Sequence, residues 1–378
     1  MMSIQEKQLN NRNIIIDIMK GICIIFVVLG HTYNNFFHDF IYLFHVAIFY
    51  VLAGYCYNMK YTENLSTVVQ ITKKRIISLW IPYFSYNLIF LLLQNFFLKI
   101  GLLTSNELYF SYNPMLNDGF VKSISFRDSI LIIIKSFFFM GTRPFCGALW
   151  FLGGLFYITI FYTCLGYLLK KLKWFPYIRI CISILFLIIG YLIISKGINV
   201  NGIKKYVGLI LITDFPFSLG VFLKSNNFYG IKITIRRNII LFICSLLGLL
   251  VLVQFGTISI GSVRIVNPIF YIVAIVAGIS FVFSISYFIM KLKITSKLFS
   301  VIGQHTMPIL ALHTFAFKIV TFMQYKIYNA DSIVISLFPV WHSELVWAIL
   351  YTIIGVSIPL LLAFFLGKNK ILKKIFKL

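Results

Sequence analysis

The sequence predicts an all-α protein, a polytopic transmembrane helix bundle of about ten spans with both termini in the cytoplasm. Of its 378 residues, 60% are hydrophobic and only 12% are charged, whereas soluble domains carry about twice that charged fraction. Apolar runs of about 20 residues, long enough to cross a bilayer, recur along the whole chain. Most Lys and Arg residues cluster in alternate short loops, which is the pattern of cytoplasmic loops.

Each predicted span is an apolar stretch with polar, charged, Gly or Pro residues at its ends. In chain order the spans are 13–31, 39–58, 76–98, 146–169, 176–196, 206–223, 238–256, 265–289, 299–324 and 344–366. The stretch 128–141 is apolar but short, so it predicts a re-entrant or interfacial helix. We therefore expect one integral-membrane domain over residues 1–378, with its largest extracytoplasmic segment at about 99–145.

The formal net charge of +24 would suggest a nucleic-acid partner in a soluble protein. Here the cations lie in short loops beside apolar spans, as Lys170, Lys171 and Arg179 do after the fourth span. We therefore expect membrane lipids with anionic head groups as partners, and no nucleic acid. The six cysteines lie mostly in or beside apolar spans without CxxC pairing, which indicates core residues and neither a disulfide framework nor a metal site.

The first span carries three polar residues, Asp17, Lys20 and His31, in the stretch DIMKGICIIFVVLGH. Lys20 and His31 are eleven positions apart, so on a helix they project from nearly the same face, about 16 Å from each other. Asp17 precedes Lys20 by one helical turn and can pair with it. The spacing predicts a polar stripe from the inner interface to the outer end of the span. A snorkelling lysine and a helix-start carboxylate are the structural alternatives for Lys20 and Asp17.

Two further histidines lie within predicted spans. His45 returns on the second span, where a tight connection can bring it close to His31. His313 follows Pro308 and lies about two turns inside its span, where an unpaired polar group is expensive, so we expect a functional or substrate-path role. A neutral imidazole in a partly dry site is a suitable general base near neutral pH. A hydrogen-bonded interfacial histidine is the alternative in each case.

Several charged residues lie near predicted span ends. Arg143 suits a phosphate or carboxylate, or serves as a membrane-edge anchor. Lys73, Lys74 and Arg75 lie just inside the third span and suit the phosphates of a cytoplasmic ligand or of lipids. The sequence assigns no role to the mid-span carboxylate of Asp214.

The sequence contains no Walker A, HExxH or GxSxG motif, which argues against ATP-driven pumping, zinc proteolysis and serine-hydrolase chemistry. Intramembrane charges and Pro-interrupted spans are compatible with two classes of protein. One is a membrane enzyme, and the other is a transporter or flippase for a lipid-linked glycan. A lipid-facing assembly factor without a substrate is a third alternative.

These motifs resemble those of the integral-membrane acyltransferase-3 family, whose members O-acylate cell-surface glycans and related acceptors. The Asp17, Lys20 and His31 spacing is similar to the family's opening signature, and its Lys-Gly form resembles the fucose 4-O-acetylase-like branch. Four later stretches resemble family motifs in the same order, namely FHVAIFYVLAGY, KKRIISLWIPY, GALWFLGGLF and IGQHTMPILALHTF.

The resemblance implies an acetyl-CoA-dependent O-acetyltransferase that acts on carbohydrate, without a metal, as a multi-pass protein of a cell membrane, which we expect to be a bacterial plasma membrane. It implies that His31 takes a proton from an acceptor hydroxyl of a glycan, which can be lipid-linked. Lys20, with Asp17, would orient groups or stabilise charge. An acetyl-histidine relay stays open as the alternative to direct transfer.

The resemblance also implies the contacts to the two substrates. The donor phosphates would meet the cytoplasmic basic cluster that contains Lys74 and Arg75. Trp150 would stack on a sugar. Arg143 and His313 would bind donor or acceptor, and His45 is a further predicted substrate contact.

Overall fold

The computed structural model describes residues 14–112, 119–172, 175–196, 202–228 and 233–378. Within these ranges the chain is helical and contains no β-sheet. Its helices are α1 (Ile14–Gly30), α2 (Asn35–Tyr42), α3 (His45–Tyr55), α4 (Leu65–Arg75), α5 (Ile81–Lys99), α6 (Tyr109–Tyr112), α7 (Phe126–Phe137), α8 (Trp150–Leu169), α9 (Phe175–Ser195), α10 (Ile203–Ser225), α11 (Ile235–Leu252), α12 (Pro268–Met290), α13 (Lys293–Gln304), α14 (Thr306–Ile327), α15 (Leu345–Leu366) and α16 (Lys370–Phe376).

Nine helical segments of the described chain have the length and hydropathy needed to cross a membrane. They coincide with nine of the ten predicted spans, and α1, with 17 residues, accounts for the tenth. The prediction of a polytopic helical membrane bundle is therefore confirmed. Which termini face the cytoplasm stays a prediction from the distribution of Lys and Arg.

Helix α1 lies at the centre of the bundle, where most of its residues are buried. It packs against α3, α12, α13, α14 and α15. The crossing of α1 and α13 is close because both helices place glycine there. A Cβ atom on Gly303 would collide with the carbonyl oxygen of Asp17, and one on Gly21 would collide with that of Phe299. Small residues allow the two backbones to approach closely. The resulting van der Waals packing stabilises the helix contact, because lipid supplies no hydrophobic driving force between helices.

Two predicted spans are interrupted in the structure. The second is divided into α2 and α3 by a break at Leu43 and Phe44. The ninth is divided at His305, so that α14 begins at Thr306, two residues before Pro308. Proline fits the first turn of a helix, where its missing N–H has no intrahelical partner. The third span is instead extended, because α4 continues through a π-helical turn, Ile76–Trp80, into α5.

Asp214 on α10 forms a fully buried ion pair with Arg179 on α9. Nη1 of Arg179 donates to Oδ2 of Asp214 at 2.6 Å, and Nη2 donates to Oδ1. The guanidinium also lies 4.7 Å from the ring centroid of Tyr162. The assignment of Arg179 to a cytoplasmic loop is therefore wrong, because its partner lies inside the helix layer. The pair joins α9 and α10 inside the helix layer, where lipid would solvate neither charge.

Helix α7 lies within the predicted extracytoplasmic segment, about 99–145, and runs along α5. The side chain of Asn95 exchanges two hydrogen bonds with the backbone of Ile124, just before α7. At the far end of α7, Nε1 of Trp80 donates to the carbonyl oxygen of Phe137 at 2.9 Å. Positions 80 and 95 are separated by about 22 Å along an ideal helix, so α7 runs beside α5 over about this distance.

The chain then turns back toward the level at which α7 began, since the backbone N–H of Arg143 donates to Asn87, near the middle of α5. Helix α7 leaves Ile130, Leu131 and Ile134 exposed, as expected for a face that contacts lipid. This descent and return are the geometry of a re-entrant segment.

We predict that Asp214→Leu lowers the free energy of unfolding by about 3–5 kcal/mol, because it leaves a buried guanidinium without its counter-charge. The double variant Arg179→Leu/Asp214→Leu should recover most of this loss, since an apolar pair is often as stable as a buried ion pair. Thermal unfolding of the detergent-solubilised protein measures both effects. Glu107→Leu, at an exposed carboxylate, is the control. A double variant that is no more stable than Asp214→Leu would contradict this account.

Candidate active site

One cavity of about 1110 Å³ runs beside α1 from Lys20 to His31, which directly follows the helix. Lys20 and Arg75 border it toward the start of α1, and His31 borders it at the end of that helix. Arg143 and Trp150 line it on the side of the re-entrant segment. The cavity therefore joins a cationic end to a histidine and then to an aromatic and polar region.

The cationic end contains a lysine that the sequence did not single out. Lys377, just after α16, lines the cavity with Lys20 and Arg75, and its Nζ lies 3.3 Å from the carbonyl oxygen of Ser78. Partial desolvation, followed by repulsion from Arg75, Lys20 and Lys74, lowers the pKa of this exposed lysine to about 8.

Arg75 is the member of the basic cluster that faces the cavity. Its Nε is buried and has no hydrogen-bond partner among the described residues. Lys73 and Lys74 on the same turn of α4 are exposed, and Lys74 lies 5.9 Å from the ring centroid of Tyr61. A buried guanidinium nitrogen without a partner is an unused donor for an anion.

His31 lies against two hydrogen-bonding groups. Its Nδ1 is 2.8 Å from the carbonyl oxygen of Val27, one turn earlier. The same Nδ1 is 3.3 Å from Nε2 of His313 on α14, and the two ring centroids are 5.0 Å apart. Nε2 of His31 makes no hydrogen bond to the part of the chain that the structure describes. That nitrogen is available to a molecule in the cavity.

The imidazole of His31 lies inside the helix layer and not at its outer surface. His313, which contacts it, is the eighth residue of α14, and 14 residues of that helix follow, about 21 Å of further length. The sequence placed His31 at the outer end of its span. The residue does end α1, but this helix stops short of the outer ends of its neighbours.

His45 lines the same cavity, as its place on the second span suggested. Its Nδ1 lies 2.7 Å from the carbonyl oxygen of Ile41, and its ring packs 4.9 Å from that of Tyr42. The histidine that reaches His31 is His313, however. His45 therefore contributes to the cavity wall beside His31.

Arg143 and Trp150 shape the far end of the cavity. Nε of Arg143 donates to Oε1 of Gln94 on α5 at 3.1 Å, which orients the guanidinium without neutralising it. The indole of Trp150 packs against Gly261, and the ammonium of Lys205 lies 5.5 Å from its ring centroid. A cation and an aromatic ring at one mouth suit a polar ligand that carries both hydroxyls and apolar faces.

Lys318 on α14 fixes the segment that closes this end. It is buried, and its Nζ donates to the carbonyl oxygens of Ile335 at 2.9 Å and Leu337 at 2.6 Å. Phe338 and Pro339, which follow directly, line the cavity.

The predicted site residues therefore divide into three groups. Lys20, His31, His45, Arg75, Arg143 and Trp150 line one cavity, whereas His313 lies behind His31 and Lys74 points elsewhere. Asp17 is buried in the contact of α1 with α13, where its Oδ1 is 4.0 Å from Nζ of Lys20 and its Oδ2 is 3.5 Å from Nε2 of Gln304. No group of three or more His, Cys, Asp or Glu residues in the described ranges has the geometry to hold a metal ion.

Comparison with known proteins gives one match. The family model described as acyltransferase domain matches residues 13–364, which is nearly the whole chain. No curated protein and no solved structure matches the chain significantly.

We predict that Lys318→Met loosens the segment 332–340. The substitution leaves two carbonyl groups without their donor, at a cost of about 1–3 kcal/mol. Amide hydrogen exchange in this segment should become about tenfold faster or more. Lys326→Met, at an exposed lysine on the same helix, should leave the exchange unchanged. Equal exchange in the two variants would show that Lys318 does not hold the segment.

Proposed function

This chain belongs to the acyltransferase-3 family, and we propose that it moves an acetyl group from cytoplasmic acetyl-CoA to a hydroxyl of a cell-surface or lipid-linked glycan. The observation that carries the proposal is the single cavity that joins the cations Lys20, Arg75 and Lys377 to the imidazole of His31. We place the protein in a bacterial plasma membrane, with the cationic end of the cavity on the cytoplasmic side.

The charge of the cavity supports a donor that carries phosphates. Its described lining includes Lys20, Arg75, Arg143 and Lys377 but no Asp or Glu. Arg75 retains an unused donor nitrogen, and guanidinium groups bind phosphate in a fixed geometry. Acetyl-CoA bears its phosphates at the end remote from its thioester. With the phosphates at Arg75 and Lys377, the pantetheine arm would extend along α1, whose Lys20 and His31 are about 16 Å apart.

His31 supplies the base in this proposal. Its Nε2 takes the proton of the acceptor hydroxyl while the hydroxyl oxygen attacks the thioester carbonyl carbon. The imidazolium then returns that proton to the departing sulfur as the carbon–sulfur bond breaks. The products are an acetyl ester and the free thiol of CoA, and His31 is left neutral. The arrangement needs one nitrogen that faces the cavity and one that stays hydrogen-bonded, as the contacts of His31 allow.

The far end of the cavity supports a carbohydrate acceptor. Trp150 offers an apolar ring of the kind on which sugar faces stack, and Arg143 offers a cation for a phosphate or carboxylate on the acceptor. Both residues lie beyond His31 from the cationic end. Donor and acceptor would therefore approach the imidazole from opposite sides.

We predict that His31→Ala abolishes transfer of radiolabelled acetyl from acetyl-CoA to surface glycan, a loss of about 100-fold or more for removal of a general base. The variant should still bind acetyl-CoA, because the cations of the donor site remain. Both are measured on purified protein in vesicles with labelled donor: acetyl transfer as label in an added glycan extract, and binding as label retained on the protein. Activity of His31→Ala at the wild-type level would refute the role of His31.

Cells that lack the protein should keep the glycan and lose only its acetyl esters; loss of the glycan itself would indicate a flippase.

We predict that donor binding weakens as the pH rises through about 8, the pKa of Lys377. Below that pH the protonated amine attracts the phosphates, and above it the neutral amine does not. The Kd for acetyl-CoA, measured on the His31→Ala protein so that no donor is consumed, should be about three- to tenfold higher at pH 9 than at pH 7.

Two variants test the assignment of this pH effect. Lys377→Arg should remove the pH dependence, because arginine stays protonated. Lys373→Gln, an exposed position on α16, should retain it. A pH dependence that persists in Lys377→Arg would assign the effect to another group.

A further inference from the structure

We propose that His313 is a positioning residue for His31. It holds the imidazole of His31 with Nδ1–H directed into the protein and with the unprotonated Nε2 directed into the cavity. This assignment rests on the proposed function, in which His31 acts as the base.

The contacts of His313 determine which of its nitrogens carries the proton. Its Nδ1 lies 3.0 Å from the carbonyl oxygen of Ile309 and 3.1 Å from that of Leu310. Carbonyl oxygens only accept hydrogen bonds, so this Nδ1 is a donor. A neutral imidazole carries one proton, which leaves Nε2 of His313 as an acceptor. That acceptor is the atom 3.3 Å from Nδ1 of His31.

Nδ1 of His31 is thus placed between two acceptors. One is the carbonyl oxygen of Val27 at 2.8 Å and the other is Nε2 of His313. Neither can donate, so Nδ1 carries the proton and Nε2 carries the lone pair. The Val27 contact comes from the preceding turn of the chain, whereas the His313 contact comes from another helix. The second contact therefore fixes the direction of the ring relative to the bundle.

The burial of the two rings indicates where the positive charge resides during the reaction. His313 is fully buried, and its ring packs 5.7 Å from that of Phe317. A charge placed there would lack solvent and counter-ion, which is expensive inside a helix layer. His31 is only half-buried and borders the cavity. The proton taken from the acceptor therefore stays on His31, and His313 strengthens its hydrogen bond to the imidazolium without taking the proton.

The same geometry separates this role from direct substrate binding, which the sequence suggested for His313. The side chain of His313 is fully buried and does not line the cavity. A molecule in the cavity would meet His31 first. His313 must then affect the reaction through its contact with the imidazole of His31.

Steady-state kinetics of paired variants provide the first test. His313→Met preserves bulk but offers no comparable acceptor, so kcat should fall about 10- to 100-fold, the loss seen when the hydrogen-bond partner of a metal-bound histidine is removed. The KM for acetyl-CoA should change less than about twofold, because the donor site is intact. His313→Gln places an amide oxygen near the position of Nε2 and should recover most of kcat. Thr321→Val is the control for general loosening of α14: Thr321 lies on the same helix as His313, and the change removes its buried hydrogen bond to Tyr351 on α15.

Three kinetic results would overturn the proposal. The first is an unchanged kcat in His313→Met. The second is a loss that appears in KM alone, as expected if His313 bound substrate. The third is a loss of the same size in Thr321→Val, as expected if any disturbance of α14 sufficed.

Nitrogen-15 NMR of histidine-labelled wild-type protein reports which ring nitrogen of His31 carries the proton. This test requires neither turnover nor a His313 variant. The chain has six histidines, and the signals of His31 are identified by their absence in His31→Gln. We expect Nδ1 of His31 in the protonated range and Nε2 in the unprotonated range. The opposite assignment would overturn the proposal. If wild-type protein transferred no acetyl group but showed the expected tautomer, the proposed function would fail while the pairing of the two rings stood.

Discussion

The structure depends on one constraint, which is that polar groups inside a hydrocarbon layer must find their partners within the protein. Arg179 finds Asp214, and Lys318 finds two backbone carbonyls. These partners neutralise or satisfy the cations and hold helices and loops together. The cations at the Lys20 end of the cavity differ, because the described cavity lining contains no Asp or Glu and Lys377 is crowded by like charges. The paired cations are thus distinguished from those that border the cavity by what surrounds them, and not by residue type or depth.

The same constraint explains how the ring of His31 is supported. A carbonyl oxygen from the preceding turn and a second histidine both meet one ring nitrogen of His31. The other nitrogen is left to the cavity. Glycines at the crossing of α1 with α13 bring the start of α1 close to the helix that leads into α14. The packing of Gly21 and Gly303 near the start of α1 therefore helps to position the imidazole of His31 after its end.

Much of this arrangement could be predicted from sequence, because it rests on local patterns. Apolar length gave nine spans that coincide with membrane-crossing segments, and the eleven-residue spacing placed Lys20 and His31 along one cavity. Contacts between distant parts of the chain could not be predicted in this way. Lys377 appeared to be one of several C-terminal lysines, and Arg179 one of several loop cations, because nothing in the neighbouring residues shows where their side chains lie. The contact of His31 with His313 joins residues 282 positions apart.

The shortness of α1 has a consequence for what has to pass through the bilayer. Its 17 residues extend for about 25 Å, and the imidazole that follows stands well below the outer ends of neighbouring helices. In the proposed reaction, a carrier from one face and an alcohol from the other each travel only part of the way. Neither bulky molecule has to be translocated. In that proposal only a fragment of two carbon atoms changes sides, at the ring of His31.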